Sequence, residues 1–169
     1  MPVPQIFRGR MTMPVIAAPM FLVSGPHLVI AACKAGVAGT FPTLNARPIE
    51  VLDEWLTLIN AELGAAMAAN PKAPIAPYGV NLILHHSNKR LAEDFELVVK
   101  HKVPFVITSL GHPGEAVKAV HGYGGVVLVG IGNGLVVGSI AAVVAWVMNG
   151  DSRLGVILAL AMVVNLFVA

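Results

Sequence analysis

The sequence predicts an α/β fold, in which short strands alternate with longer helices, followed by a hydrophobic helical hairpin. Two observations lead to this prediction. From residue 14 to residue 129, apolar runs of strand length alternate with amphipathic segments of helical period. The charged residues then stop, since ten of the eleven Lys and Arg and eight of the nine Asp and Glu lie in residues 1–118. We therefore expect one domain in residues 1–124 and an apolar segment in residues 125–169.

The strands are predicted from short apolar runs, each of which precedes a helical pattern. They are expected at residues 14–20, 37–41, 78–84 and 103–108, while residue 125 begins either a fifth strand or another structure.

The helices are predicted from their caps and apolar stripes. Pro26 opens the first one, because a proline in the first turn of a helix loses no hydrogen bond. Ser87 is the expected N-cap of the third, and the Ala- and Pro-rich residues 64–77 are expected to be irregular. The predicted helices are residues 26–35, 48–63, 89–100 and 114–121.

Alternating strands and helices with short connections imply parallel strands joined by right-handed crossovers. Two architectures satisfy this rule, a doubly wound sheet and a (β/α)8 barrel. A complete barrel needs about 250 residues, and residues 1–124 supply about half of that number. The barrel alternative therefore predicts its N-terminal half, with about four βα units.

Composition excludes several classes of protein. The net charge of +2 is scattered along the chain, which argues against nucleic-acid binding. The single Cys33 rules out an internal disulfide and fits a reducing compartment. Near the N-terminus, Pro14 and Pro19 bracket an apolar run of only four residues, so a secretory signal is not expected. We predict that residues 1–124 are cytoplasmic.

Five segments occur in the order found in one enzyme family. The chain resembles the flavin-dependent nitronate monooxygenases, or 2-nitropropane dioxygenases, over about residues 14–128. The matching segments are Pro14-Val-Ile-Ala-Ala-Pro-Met20, Val23-Ser-Gly-Pro26, Gly39-Thr-Phe-Pro-Thr-Leu-Asn45, Tyr78-Gly-Val-Asn-Leu82 and Pro104-Phe-Val-Ile-Thr-Ser-Leu-Gly111.

This resemblance implies an FMN-binding (β/α)8 barrel that oxidises alkyl nitronates with dioxygen. In that family an Ala-Pro-Met turn after the first strand lies against the flavin, and an asparagine at the end of the third strand contacts it. These cofactor-binding roles fall on Ala18, Pro19, Met20 and Asn81. Their placement agrees with the general rule that barrel ligands bind at the carboxyl ends of strands.

No catalytic residue is assigned, because the family's base is a histidine in a Gly-Gly-His segment that this sequence lacks. The cofactor phosphate is usually held after strands seven and eight of a barrel, beyond the strands predicted here. His112 follows the strand at residues 103–108 and is the alternative candidate for a base. His85 and His86 follow the predicted strand at residues 78–84, and we expect them to form a loop pair at its end. Neighbouring residues on a strand would point to opposite faces and rarely bind one ion, so no metal site is predicted.

The apolar segment has the pattern of a transmembrane hairpin. Residues 125–148 contain 24 uncharged residues and residues 154–169 contain 16 more, while a bilayer core needs about 20. Small residues recur every four positions, which favours close helix packing. A nucleotide-binding loop is the competing interpretation, but the G-x-G-x-x-G pattern fails at Leu135. The small residues in the series are Gly130, Gly134, Gly138 and Ala142.

Part of this segment, Gly132-Asn-Gly-Leu, Ala145-Trp, Leu154-Gly-Val and Asn165-Leu, resembles a middle helical hairpin of MgtE-type magnesium transporters. We therefore expect anchoring to the inner membrane through residues 125–169. Half a barrel also leaves open strand edges, which predicts pairing with a second copy. Three functions remain: an incomplete FMN-dependent nitronate monooxygenase, a fragment of a membrane protein related to a divalent-cation transporter, and an inactive fusion product of two genes.

Overall fold

A computed structural model describes residues 3–129, in which helices and strands alternate as the sequence predicts. Short 3-10 turns at Gln5–Phe7 and Thr43–Asn45 supplement them. The helices are α1 (Pro26–Lys34), α2 (Ile49–Ala69), α3 (Leu91–Lys100) and α4 (Gly114–Gly122). The strands are β1 (Thr40–Pro42), β2 (Gly79–Ile83), β3 (Phe105–Ser109) and β4 (Val126–Val129).

The four strands form one parallel sheet in the order β1-β2-β3-β4. Each strand pairs with the next one along the chain, and a helix covers every connection. In the register, Gly79 lies opposite Thr40 on one side and Phe105 on the other. Two residues further along, Asn81 lies opposite Pro42 and Ile107. This arrangement confirms the predicted parallel α/β architecture.

Different parts of the chain bury the two faces of the sheet. On the outer face, Val80 and Val106 pack into a core formed with all four helices. On the inner face, Phe105 and Ile107 pack with Phe7, which comes from the first residues of the chain. Alternate residues of a strand point to opposite faces, so Asn81 shares the inner face with Phe105 and Ile107.

A glycine in β2 creates the space for the largest inner-face side chain. The rings of Phe7 and Phe105 meet edge to face, with centroids 5.2 Å apart, and Phe105 is fully buried. A Cβ atom on Gly79 would lie 2.6 Å from two carbons of the Phe105 ring. The strand therefore needs glycine at this position because of a neighbouring side chain.

The predicted first strand, residues 14–20, is wrong in extent. Only Ile16 forms a bridge, parallel to Ala38, and β1 begins at Thr40 rather than at residue 37. Pro14 and Pro19 carry no N–H group and cannot donate to a sheet ladder. The segment still runs alongside β1, at the position that the first barrel strand would occupy.

Two predicted helix boundaries are also wrong. Helix α2 continues to Ala69, through residues expected to be irregular, because alanine and methionine favour helix strongly. Helix α3 begins at Leu91 without a side-chain cap. Ser87 does not cap it, since its hydroxyl is 2.8 Å from Nδ1 of His85.

The predicted hairpin begins differently from the expectation. Val126–Val129 form β4, which pairs with β3, so these residues belong to the sheet. The remaining hairpin residues, 130–169, lie outside the described residues. Among residues 3–129, no helix combines the length and the apolar character needed to cross a bilayer.

Candidate functional site

Exposed apolar side chains lie at the carboxyl edge of the sheet, in the loops that precede α1 and follow β3. Leu22 is 75% exposed and Leu110 is 47% exposed. Both adopt the left-handed conformation, with φ of 62° and 61°, which costs about 1–2 kcal/mol for a residue with a side chain. Such strained residues concentrate at functional sites. The exposed apolar residues of this edge are Met20, Phe21, Leu22, Val23 and Leu110.

The Ala18-Pro19-Met20 turn is attached to β1. The Ala17 amide donates a hydrogen bond to the Ala38 carbonyl at 2.8 Å, and the Thr40 hydroxyl donates to the Ala17 carbonyl. Ala18 and Met20 are exposed, while Pro19 is half-buried. The structure therefore places all three residues on the edge where the resemblance expects the flavin.

Ser24 satisfies the backbone groups of this turn from inside. Its hydroxyl oxygen accepts a bond from the Met20 amide at 3.0 Å and donates to the Ala18 carbonyl at 3.4 Å. Ser24 is only 2% exposed. Since Pro19 has no N–H group, the turn presents an apolar surface outward rather than a row of free hydrogen-bonding groups.

Asn45, in the 3-10 turn that follows β1, holds the same loop. Its Oδ1 accepts a bond from the Leu22 amide at 3.1 Å, and its Nδ2 donates to the carbonyls of Met20 and Ser24 at 3.0 and 2.8 Å. Asn45 ends one of the segments that carry the family resemblance, but the resemblance implies no role for it. The available signal is its residue type, because asparagine side chains in turns commonly bond to backbone groups.

Asn81 lies on the inner face as the middle residue of β2, opposite Pro42, which is the last residue of β1. The expectation that it ends its strand is therefore wrong, because β2 continues for two residues beyond it. Its Nδ2 donates to the Ile107 carbonyl at 3.3 Å and to the Ser109 hydroxyl at 3.2 Å. Within residues 3–129 both side-chain bonds use the amide nitrogen, which leaves Oδ1 as an acceptor. β1 separates β2 from the segment of Ala18, so the two lie about 10 Å apart at two strand spacings.

His85 and His86 form the loop pair at a strand end that the sequence predicts. β2 ends at Ile83, and the centroids of the two imidazole rings are 3.9 Å apart in the loop that follows. His112 is exposed and lines a groove of about 680 Å³ together with Leu82 and Phe95. Leu82 belongs to the outer core and the partly buried Phe95 packs against it, so His112 is not brought to the face of Asn81.

Within residues 3–129, neither a metal-binding cluster nor the thiol of Cys33 contributes to this edge. No group of three or more His, Cys, Asp or Glu side chains in this part of the chain is arranged to hold a metal ion. Cys33 is fully buried, and burial raises the pKa of its thiol to about 11. A thiol that stays protonated is a poor nucleophile, so Cys33 is a packing residue.

Comparison with known proteins identifies the fold. No family model and no curated protein matches the chain. FabK from Thermotoga maritima matches with 18% identity and a TM-score of 0.50, over 76% of this chain and 37% of FabK. A point variant of FabK gives a TM-score of 0.53 and covers 76% and 40% of the two chains. The chain thus spans less than half of this TIM-barrel protein, and the likeness shows a partial TIM barrel.

Proposed function

We propose that residues 3–129 form part of an FMN-binding barrel with the chemistry of a nitronate monooxygenase-like oxidoreductase. One observation carries this proposal. The Ala18-Pro19-Met20 turn, assigned to the cofactor by resemblance, lies at the carboxyl edge of a parallel sheet, and Asn81 lies on the inner face level with Pro42, the last residue of the intervening strand β1. Ligands of barrel proteins bind at this edge.

The chemistry of these residues fits the ring system of FMN. Binding sites for such cofactors are mostly apolar with a few polar groups that fix orientation. Met20 is 43% exposed and offers a polarisable thioether to a flat aromatic face. Asn81 retains Oδ1 as an acceptor for a ring N–H group. A fused three-ring system is long enough to reach both, whereas no residue of 3–129 is assigned to the phosphate.

The chain contributes binding and orientation in this proposal. When bound, FMN supplies the transfer of electrons from an alkyl nitronate to dioxygen. Asn81 fixes the rotation of the ring by one hydrogen bond, and its own position is set by Ile107 and Ser109. Pro19 and Met20 exclude water from one face of the ring. Residues 3–129 contain no side chain that we assign to proton transfer.

Titration of the full chain with FMN, followed by quenching of flavin fluorescence, tests the proposal. Replacement of Asn81 by Leu, which has a similar volume, should raise the Kd about fivefold, since one hydrogen bond is worth about 1 kcal/mol. Met20→Asp should also weaken binding, because it puts a charge against the ring. Met13 is similarly exposed, at 51%, so Met13→Asp is the matched control and should leave the Kd unchanged.

Absence of FMN binding by the unsubstituted chain would refute the proposal and favour the inactive fusion product. Equal losses in Met20→Asp and Met13→Asp would show that the edge of the sheet is not the binding site. Consumption of a small alkyl nitronate and dioxygen by the FMN-loaded chain then tests the substrate class.

We further propose that residues 130–169 attach the chain to a membrane, as their uncharged composition suggests. Extraction of membranes with alkaline carbonate tests this proposal. Retention of the full chain in the pellet supports the transporter-related alternative for this segment, and complete release into the supernatant refutes it. Sedimentation of the detergent-solubilised chain tests pairing with a second copy.

A further inference from the structure

We infer that Asn45 is a positioning residue, which holds the loop of residues 20–24 in the orientation that the flavin site requires. This inference rests on the proposed function, because the loop carries Met20. All three hydrogen bonds of the Asn45 amide reach this loop, two from Nδ2 to the Met20 and Ser24 carbonyls and one to Oδ1 from the Leu22 amide. They join residues 21 to 25 positions apart.

The loop needs an external support because its own side chains bury little surface. Phe21, Leu22 and Val23 are 56%, 75% and 66% exposed, so burial stabilises them weakly. The left-handed conformation of Leu22 opposes the fold further. Hydrogen bonds from a segment next to β1 can compensate for both effects, which makes the loop conformation depend on Asn45.

Bonds within the loop and one further residue add to the hold of Asn45 on Met20. The Met20 carbonyl accepts bonds from the amides of Val23 and Ser24, at 3.3 and 3.0 Å, in addition to the bond from Asn45. The guanidinium of Arg47 lies 5.4 Å from the centre of the Phe21 ring, within the range of a cation–π contact. Asn45 and Arg47 therefore hold the loop at neighbouring points, and Asn45 holds the carbonyl of Met20 itself.

Asn45→Ala in the full chain tests this inference through two independent measurements, hydrogen exchange and FMN affinity. Amide exchange of residues 20–24 should accelerate about tenfold, while exchange in β2 and β3 stays unchanged. The Kd for FMN should rise about tenfold. Asn45→Asp should be at least as damaging, because its carboxylate would face two carbonyl oxygens. Asn60 on α2 is exposed, so Asn60→Ala is the matched control and should change neither quantity.

The outcomes separate this inference from the proposed function. Unchanged exchange of the Leu22 amide in Asn45→Ala overturns the inference whether or not FMN binds. Faster loop exchange with an unchanged Kd also overturns it, since a loop that needs no support for binding is not positioned by Asn45. Failure of the unsubstituted chain to bind FMN refutes the proposed function, and the inference falls with its premise.

Discussion

Replacement of Gly79 by alanine should destabilise the sheet, although alanine is normally the better residue for an ordered chain. Gly79 does not have a positive φ, so its backbone tolerates a side chain. The new methyl group, however, would lie 2.6 Å from Cδ2 and Cζ of Phe105 and closer still to Cε2. Contacts below 3.0 Å essentially never occur for a Cβ atom, so the ring or the strand must move.

The Phe105 ring has no free space into which it can move. It is fully buried and its other side contacts the ring of Phe7. Overpacking of such a site costs about 1–3 kcal/mol. Replacing glycine by alanine also lowers the conformational entropy of the unfolded chain, which stabilises the folded state by about 0.4–1 kcal/mol. We therefore expect Gly79→Ala to lower the free energy of unfolding by about 1–2 kcal/mol.

Chemical denaturation of the full chain, followed by circular dichroism, measures this change. Gly64 is the matched control, because it lies in α2 and a Cβ atom there has no neighbour within 4 Å. Gly64→Ala should stabilise the protein by up to about 1 kcal/mol. Combining Gly79→Ala with Phe105→Leu should cost at least about 0.5 kcal/mol less than the sum of the single changes. Equal effects of Gly79→Ala and Gly64→Ala would refute the packing argument.

Three further predictions follow from the charges and buried groups. Because burial raises the pKa of Cys33 from 9.0 to about 11, the folded thiol should resist alkylation. Its contribution to stability should be complete below pH 9 and be lost as the pH rises towards 11 in a denaturation series. The hydrogen bond to His101 lowers the pKa of the Asp53 carboxyl. The stability that ionised Asp53 contributes should therefore be complete above pH 3.8 and be lost as the pH falls below that value. His101→Gln should raise the pKa of Asp53 measured by NMR. Asp94→Asn should cost about 3 kcal/mol in denaturation, because fully buried Asp94 pairs with Arg90, and an unchanged midpoint would contradict this assignment.

The sequence predicts the sheet well because its signals are local. Strands β2 and β3 are predicted within about two residues, since continuous apolar runs mark strands buried on both faces. Pattern arguments are weaker where one strand borders the sheet. Pro14 and Pro19 reduce the first strand to a single bridge. Whether such an edge segment pairs with the sheet depends on the residues that pack around it.

The candidate site was predicted only in part. Ala18, Pro19, Met20 and Asn81 were assigned by resemblance, and the structure shows where they lie relative to the sheet. The interactions that hold them could not be predicted, because Asn45 reaches Met20 across 25 positions of the chain. A hydrogen bond between such distant residues leaves no periodic pattern in the sequence.

The sequence by itself determined the alternation of strands and helices, the parallel sheet and the chemical types available at its edge. These properties follow from local burial periods and from the handedness of chain connections. Only the tertiary structure decided that Asn45 supports the Met20 loop, that Gly79 makes room for Phe105 and that His112 lies on the helical side. These three contacts depend on which distant side chains meet when the two faces of the sheet are packed, and packing of that kind is a property of the assembled chain.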